Sequence, residues 1–271
     1  TVLSRMIERE PDLSIVAQSA SAEKALMVLR STPVDVVLLD LEMPGMGGLE
    51  ALPAILKTAR GAQVLVVSSL TADGAEATLA ALQMGAADTM LKPRPGGFNE
   101  AYRASLLGKI RALGSKLHPS ASPTQVAEPR PNRAAIKRPR IVAIGASTGG
   151  IHALNLFLRR LPERFDLPIL ITQHLPESFI PVFARQMQTA ANREAVLADE
   201  GVVIEPRRII IAPGHGHMVV RKCQGAVITG LAHYPVKSGC RPSVDPMFET
   251  LADAYDGEVA GVLLSGMGRD G

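Results

Sequence analysis

Short runs of Val, Ile and Leu recur along the chain, and each is followed by a stretch of helical length. Val34–Leu39, Val64–Val67, Arg140–Ile144, Pro168–Thr172 and Val259–Leu264 are apolar almost throughout. A strand with one wet face alternates polar and apolar residues, whereas a strand covered on both faces does not. Runs of this second kind, separated by helices, require parallel sheets with helices on both sides. The expected fold class is therefore α/β, with doubly wound, mostly parallel sheets. Such sheets place their sites beyond the carboxyl ends of the strands. The residues just after each run are the ones to read for chemistry.

The runs fall into two groups. Residues 116–139 are rich in Pro, Ser and Arg and lack apolar periodicity, which marks a semi-extended linker. The expected domains are 1–115 and 140–271. Residues 116–140 hold six Lys/Arg against one acid, and the halves on either side are nearly neutral. The net charge of +3 thus sits in the linker and argues little for a nucleic-acid partner. Aromatics are 3% of the chain and Trp is absent, which removes the stacking platforms that single strands need. Two cysteines are too few for a disulfide framework and fit a reducing cytosol. No apolar run approaches the roughly 20 residues that span a membrane. Arg5, Glu8, Arg9 and Glu10 interrupt the start, unlike a signal peptide. The expectation is a cytoplasmic protein without membrane insertion.

In the first half, Ser14–Ser19 and Asp88–Leu91 are expected as further strands. Helices are expected at Ala22–Arg30, Gly48–Thr58, Gly74–Met84 and Ala101–Leu113, with Gly85 as a C-cap. Asp40, Ser68 and Lys92 then lie at strand tips. A carboxylate beside a Lys can accept a phosphoryl group: the acid attacks phosphorus, a divalent cation neutralises the oxygens and the Lys pairs with the phosphoryl. The plainer alternative is that Asp40 caps the turn before Pro44-Gly45. Spacing alone leaves both readings open.

In the second half, Gly145-Ala146-Ser147-Thr148-Gly149 fits G-x-S-x-G between a strand and a helix. A tight turn there exposes the Ser147 hydroxyl, and the helix N-terminus favours developing negative charge. The competing reading is an anion-binding or dinucleotide turn, but Ser147 occupies the second Gly position of G-x-G-x-x-G. A serine nucleophile needs a base, and the base needs an orienting acid. His174 and Asp270 both follow buried strands, so all three meet at one sheet edge. Their order, Ser-His-Asp, differs from that of α/β-hydrolases. Val202–Val203 and Arg208–Ile211 are expected as strands. A hairpin over His217–Arg221 and Ala226–Thr229, and helices at Ile151–Arg160, Phe179–Ala190 and Pro246–Tyr255, complete the reading. His215, His217, Cys223, His233 and Cys240 raise the question of zinc, but their spacing fits no standard site.

Val36-Val37-Leu38-Leu39-Asp40-Leu41-Glu42-Met43-Pro44-Gly45-Met46-Gly47-Gly48 resembles the phosphorylation segment of two-component response-regulator receivers. Gly85-Ala86-Ala87-Asp88 and Leu91-Lys92-Pro93 resemble that family's closing segment. The resemblance implies a flavodoxin-like receiver with Asp40 as phosphoacceptor, Ser68 as switch hydroxyl and Lys92 as the family's lysine. Mg²⁺ would be held by Asp40 and the main-chain carbonyl of Glu42, and a histidine kinase would be the phosphodonor. The family's usual aromatic three residues before the Lys is replaced by Thr89. Its first strand and metal-binding acidic pair are missing ahead of Thr1.

Gly145-Ala146-Ser147-Thr148-Gly149-Gly150, Gln173-His174-Leu175-Pro176, Ile211-Ala212-Pro213-Gly214, Arg241-Pro242-Ser243-Val244-Asp245 and Gly266-Met267-Gly268-Arg269-Asp270-Gly271 are similar to the motifs of CheB-type chemotaxis methylesterases. The resemblance implies a Rossmann-like α/β/α esterase domain acting on glutamyl methyl esters of methyl-accepting chemotaxis receptors, and deamidating glutamines. Ser147, His174 and Asp270 would be its catalytic set, with no cofactor. Met267 and Thr148 would give oxyanion N–H groups. The unphosphorylated receiver would cover the active site, and phosphorylation at Asp40 would relieve this. The family continues past the Asp270 loop, so the sequence is expected to be a piece of a longer protein, truncated at both ends. A non-catalytic signalling module and an esterase of another pathway stay open as alternatives. A DNA-binding regulator is disfavoured, since no helix-turn-helix pattern is found.

Overall fold

A computed structural model describes residues 2–43, 45–69, 71–93, 97–115, 138–147, 149–264 and 270. The chain divides into two compact units, Thr1–Gln125 and Val126–Gly271. The expected linker lies outside the described residues up to position 137.

The first unit runs α1 (Val2–Ile7), α2 (Ala22–Ser31), β1 (Val36–Asp40), α3 (Gly48–Thr58), β2 (Gln63–Ser68), α4 (Ala72–Met84), β3 (Asp88–Leu91) and α5 (Glu100–Ser115). The strands pair in parallel in the order β1-β2-β3, with Asp40 opposite Val67 and Ser68 opposite Leu91. The strand tips carrying Asp40, Ser68 and Lys92 therefore lie side by side. Thr71 caps α4 by accepting the Gly74 N–H at 2.9 Å, so this helix starts two residues before the expected position. Gly85 ends it in the left-handed conformation, as expected. Ser14–Ser19 is not a strand. Leu13 and Ile15 pack against the cluster of Leu106, Ile110 and Leu113, but the segment pairs with no described strand.

The second unit runs β4 (Ile141–Ala146), α6 (Gly150–Arg159), β5 (Ile169–Gln173), a 3₁₀ turn at Glu177–Phe179, α7 (Ile180–Ala191), β6 (Ala195–Leu197), β7 (Ile209–Ile211), β8 (His217–Cys223), β9 (Ala226–Ala232), α8 (Asp245–Ala254) and β10 (Val259–Leu263). Five strands form an all-parallel sheet in the order β10-β4-β5-β7-β6, and β8-β9 is an antiparallel hairpin. The helix at Phe179 begins at Ile180, behind the 3₁₀ turn, and the short β6 has no counterpart among the sequence expectations. Val203 makes only an isolated bridge to Ile228 rather than a strand. The second unit's main core gathers Ile141, Ala143, Leu170, Ile210, Met218, Val220, Met247 and Leu251, uniting the sheet, the hairpin and α8. Fully burying its Val, Leu, Ile and Met side chains contributes about 1.5–3 kcal/mol each.

The chain leaves β4 toward β5 through α6 and returns on β4's other side as β10, after α8. The direction of winding reverses there, and a crevice opens at the carboxyl ends of the strands at such a point. Ser147, His174 and Asp270 follow β4, β5 and β10.

Candidate active site

Ser147 and His174 are placed by strand register. Ala146 pairs with Gln173 as the last residues of β4 and β5. The His174 N–H donates to the Ala146 carbonyl at 3.1 Å, and Gln173 Nε2 donates to the Ser147 carbonyl at 3.2 Å. The Ser147 carbonyl also accepts the Gly150 N–H at 2.8 Å, which closes the turn into α6. Gly149 makes this turn at φ 75°, a conformation that suits glycine. Ser147 is half-buried at the N-terminal end of α6, where helix polarity favours negative charge.

His174 Nε2 lies 2.7 Å from Asp270 Oδ2. The His174 side chain is 18% exposed and that of Asp270 only 2%. The Ser243 hydroxyl donates to Asp270 Oδ1 at 2.5 Å, and the Val244 N–H donates to Oδ2 at 2.8 Å. Burial acts to raise the Asp270 carboxyl, but the bonds from His174, Ser243 and Val244 outweigh it and hold it down at about 2. A charged, hydrogen-bonded carboxylate against one ring nitrogen leaves Nδ1 of His174 for a nucleophile. Met267 and Thr148, the expected oxyanion donors, lie outside the described residues.

The motif Arg241–Asp245 shows no role in the sequence alone. Its bonds to Asp270 span 25 to 27 positions, and nothing in local periodicity announces them. In the sequence, Cys240 stands out only as a candidate zinc ligand. Its Sγ, a His174 ring nitrogen and an Asp270 oxygen lie within 4.8 Å of one another, the one described group that can gather three metal ligands. Burial raises the Cys240 thiol, and the charges of Asp270 and Asp245 add to this against a bond with Ser238. His215 and His233 stack with ring centroids 6.2 Å apart, and His217 spends both ring nitrogens on hydrogen bonds to Ser243 and Tyr234.

In the first unit, Lys92 Nζ stands 2.9 Å from both Asp40 Oδ1 and Glu42 Oε2. Asp40 Oδ1 also accepts the Glu42 N–H at 2.9 Å. Burial acts to lower the Lys92 ammonium, but Glu42 and Asp40 raise it on balance. Lys92, followed by the Ser69 hydroxyl, lowers the Glu42 carboxyl. Ser68 is buried at 1% exposure, and its hydroxyl has no described hydrogen-bond partner. The neighbouring Ser69 is the serine that bonds Glu42. Oxygen donors from Asp40 and Glu42 suit a hard cation such as Mg²⁺.

Residues 142–271 match the family model of the CheB methylesterase, and residues 1–100 match that of the response regulator receiver domain. A protein-glutamate methylesterase/protein-glutamine glutaminase of Rhodopseudomonas palustris strain HaA2 is 37% identical over 297 residues, covering 100% of this chain and 76% of its own length. A relative of the same description from Caulobacter vibrioides is 40% identical over 278 residues, covering 100% and 79%. The crystal structure of the Thermotoga maritima CheB methylesterase catalytic domain has a TM-score of 0.47 and 32% identity, covering 49% of this chain and 70% of its own. No described helix is long and apolar enough to cross a membrane.

Proposed function

The chain belongs to the CheB methylesterase family, and we propose that Ser147, His174 and Asp270 make it a hydrolase of glutamyl methyl esters on methyl-accepting chemotaxis receptors. It is a protein-glutamate methylesterase with a receiver domain ahead of the esterase, and its regulation is by phosphorylation.

Ser147 Oγ attacks the ester carbonyl carbon while Nδ1 of His174 takes the hydroxyl proton. Charge moves onto the carbonyl oxygen, where main-chain N–H groups of Met267 and Thr148 receive it. The C–O bond to the methyl group's oxygen then breaks. His174 returns the proton to that oxygen, and methanol leaves. Water, deprotonated by His174, attacks the acyl-serine; glutamate is released and Ser147 restored. Glutamine enters the same sequence with ammonia as leaving group. Asp270 holds the imidazole in the tautomer that accepts the proton and stabilises the cation that forms.

Asp40 is the phosphoacceptor, and a histidine kinase is the donor. Asp40 and the main-chain carbonyl of Glu42 would hold a Mg²⁺ ion, and the chemistry it would supply there is neutralisation of the phosphoryl oxygens. Lys92 pairs with the phosphoryl group, and the unpartnered Ser68 hydroxyl bonds it. The protein acts in the cytoplasm.

The observation that carries the catalytic assignment is the 2.7 Å contact between His174 and Asp270 beside the Ser147 turn. Methanol release from a methylated receptor fragment tests it, with and without a small phosphodonor, beside Ser147→Ala and Asp40→Asn. Release that Ser147→Ala abolishes and that the phosphodonor raises only when Asp40 is present supports the reading. Full release by Ser147→Ala would remove Ser147 from the mechanism. No release by a folded protein that accepts phosphate would indicate a binding module or another ester.

A further inference from the structure

We propose that Ser243 and His217 are positioning residues that hold the Asp270 carboxylate in the plane from which it orients His174. The inference rests on the assignment of Ser147, His174 and Asp270 given above.

A carboxylate on a glycine-rich loop can turn about its terminal bond and present either oxygen, or neither, to an imidazole. Asp270 is pinned at both oxygens. Oδ1 accepts the Ser243 hydroxyl at 2.5 Å, with the Asp245 N–H at 3.4 Å, and Oδ2 accepts the Val244 N–H at 2.8 Å beside its contact with His174. Ser243 is fully buried. Its hydroxyl carries a single proton, which goes to Asp270. The hydroxyl is therefore directed at the carboxylate and has no second donation to make.

Ser243 is itself held from behind. Its N–H donates to Nδ1 of His217 at 2.9 Å, and Nε2 of His217 lies 3.0 Å from the Tyr234 carbonyl, to which it donates. Accepting at Nδ1 and donating at Nε2 fixes one neutral tautomer. His217 is 1% exposed and its bond from the Ser243 N–H is buried, so water is poorly placed to replace that bond. The imidazole is a flat spacer with an acceptor on one side and a donor on the other. It ties the first residue of β8 to the return after β9 and to the segment entering α8. An aliphatic residue of similar volume would leave the buried Ser243 N–H without a partner and remove the bond to the Tyr234 carbonyl. Three elements thus converge on one carboxylate. This gives a physical role to Ser243 in the Arg241–Asp245 motif and to a histidine that the ester chemistry does not use.

A hydrogen bond to a charged group that orients a catalytic acid should affect turnover more than binding. Ser243→Ala removes one oxygen from a buried site and asks for no extra space. Its kcat for methanol release is expected to fall about 10- to 100-fold with KM little changed. The Asp270 carboxyl, followed by carbon-13 NMR, is expected to titrate at higher pH than in the parent. His217→Leu is expected to lower kcat in the same sense. His217→Asn puts an amide oxygen where Nδ1 stands and is expected to restore most of that loss. Should His217→Leu fail to fold, Ser243→Ala and His217→Asn still decide. Parental kcat and an unmoved Asp270 titration in a folded Ser243→Ala would overturn the proposal. So would a His217→Asn variant as impaired as His217→Leu. Full activity of Ser147→Ala would instead strike the catalytic assignment, which separates the two failures.

Discussion

Val244 lies so close to Gly145 that a Cβ on Gly145 would stand 2.6 Å from its Cγ1 and 2.9 Å from its Cγ2. Leu263 Cδ1 would also be 2.9 Å away. Valine is stiff at χ1 and yields mainly by moving its backbone. That backbone carries the N–H that donates to Asp270. Gly145→Ala is therefore expected to cost about 1–3 kcal/mol through overpacking. It should also lower kcat at temperatures where the variant is fully folded. A thermal melt beside methanol-release kinetics reads both effects. Parental kcat in the folded variant would mean that Val244 repacks without disturbing Asp270.

Asp270→Asn keeps the shape of the side chain and removes the charge. The amide oxygen can satisfy only part of the donor set formed by Ser243, Val244 and His174. An amide nitrogen turned toward His174 would also favour the tautomer with its proton on the nucleophile's side. Comparable changes in serine hydrolases cost on the order of 10⁴ in kcat. A loss of about 10³- to 10⁴-fold is expected here, with KM little affected. A loss below about tenfold would show that Asp270 does not set the tautomer.

The same carboxylate makes stability depend on acid. Burial pushes its pKa up, but the bonds from His174, Ser243 and Val244 prevail and set it at about 2, below the ordinary 3.8. A folded value below the unfolded one gives stability that is fully present above about 3.8 and is lost as pH falls through about 2. At 1.36 kcal/mol per pKa unit the contribution is on the order of 2 kcal/mol. Urea unfolding at several pH values across that window should show a shallower acid decline for Asp270→Asn than for the parent. Identical slopes would mean that Asp270 titrates alike in both states.

The strand tips were legible because buried parallel strands leave a strong signature. Val64–Val67 runs directly into Ser68, and Pro168–Thr172 stops two residues short of His174. Ser14–Ser19 shows where that signature misleads. Leu13 and Ile15 do alternate and do pack inward, but pairing depends on a neighbour that local pattern cannot supply. β6 leaves no such signature for the opposite reason: Ala195 and Val196 are only half-buried and Leu197 is exposed. The His174–Asp270 contact was anticipated from two strand ends. The support from Ser243, Val244 and His217 was not, because it joins segments that meet only after the hairpin and α8 have packed.

Lys92 bridges Asp40 and Glu42 with one ammonium. Lys92→Met keeps the length and apolar stem and removes the charge that would pair with an incoming phosphoryl group. Stimulation of methanol release by a small phosphodonor is expected to be lost, even if Asp40 still takes up phosphate. The Glu42 carboxyl, now lowered chiefly by Lys92, should move back toward its ordinary range. Undiminished stimulation in Lys92→Met would show that phosphorylation is transmitted without this lysine.

Cys240 offers a chemical probe of the site. Burial raises its thiol above the ordinary 9.0; Ser238 opposes the shift, and the charges of Asp270 and Asp245 reinforce it. The thiolate is the reacting form, so alkylation by iodoacetamide should be slow at neutral pH and accelerate as pH rises beyond 9. Cys223 is exposed, so the measurement belongs in a Cys223→Ser background. A carbamidomethyl group on Cys240 would occupy space within reach of His174 and Asp270. Loss of methanol release should therefore track labelling of Cys240, and Cys240→Ser should be resistant to the reagent. Fast labelling at neutral pH would contradict a half-buried thiol whose pKa is raised. Complete labelling with activity retained would place Cys240 outside the path of the receptor ester, because a group that size cannot share the crevice with a glutamyl side chain held against His174.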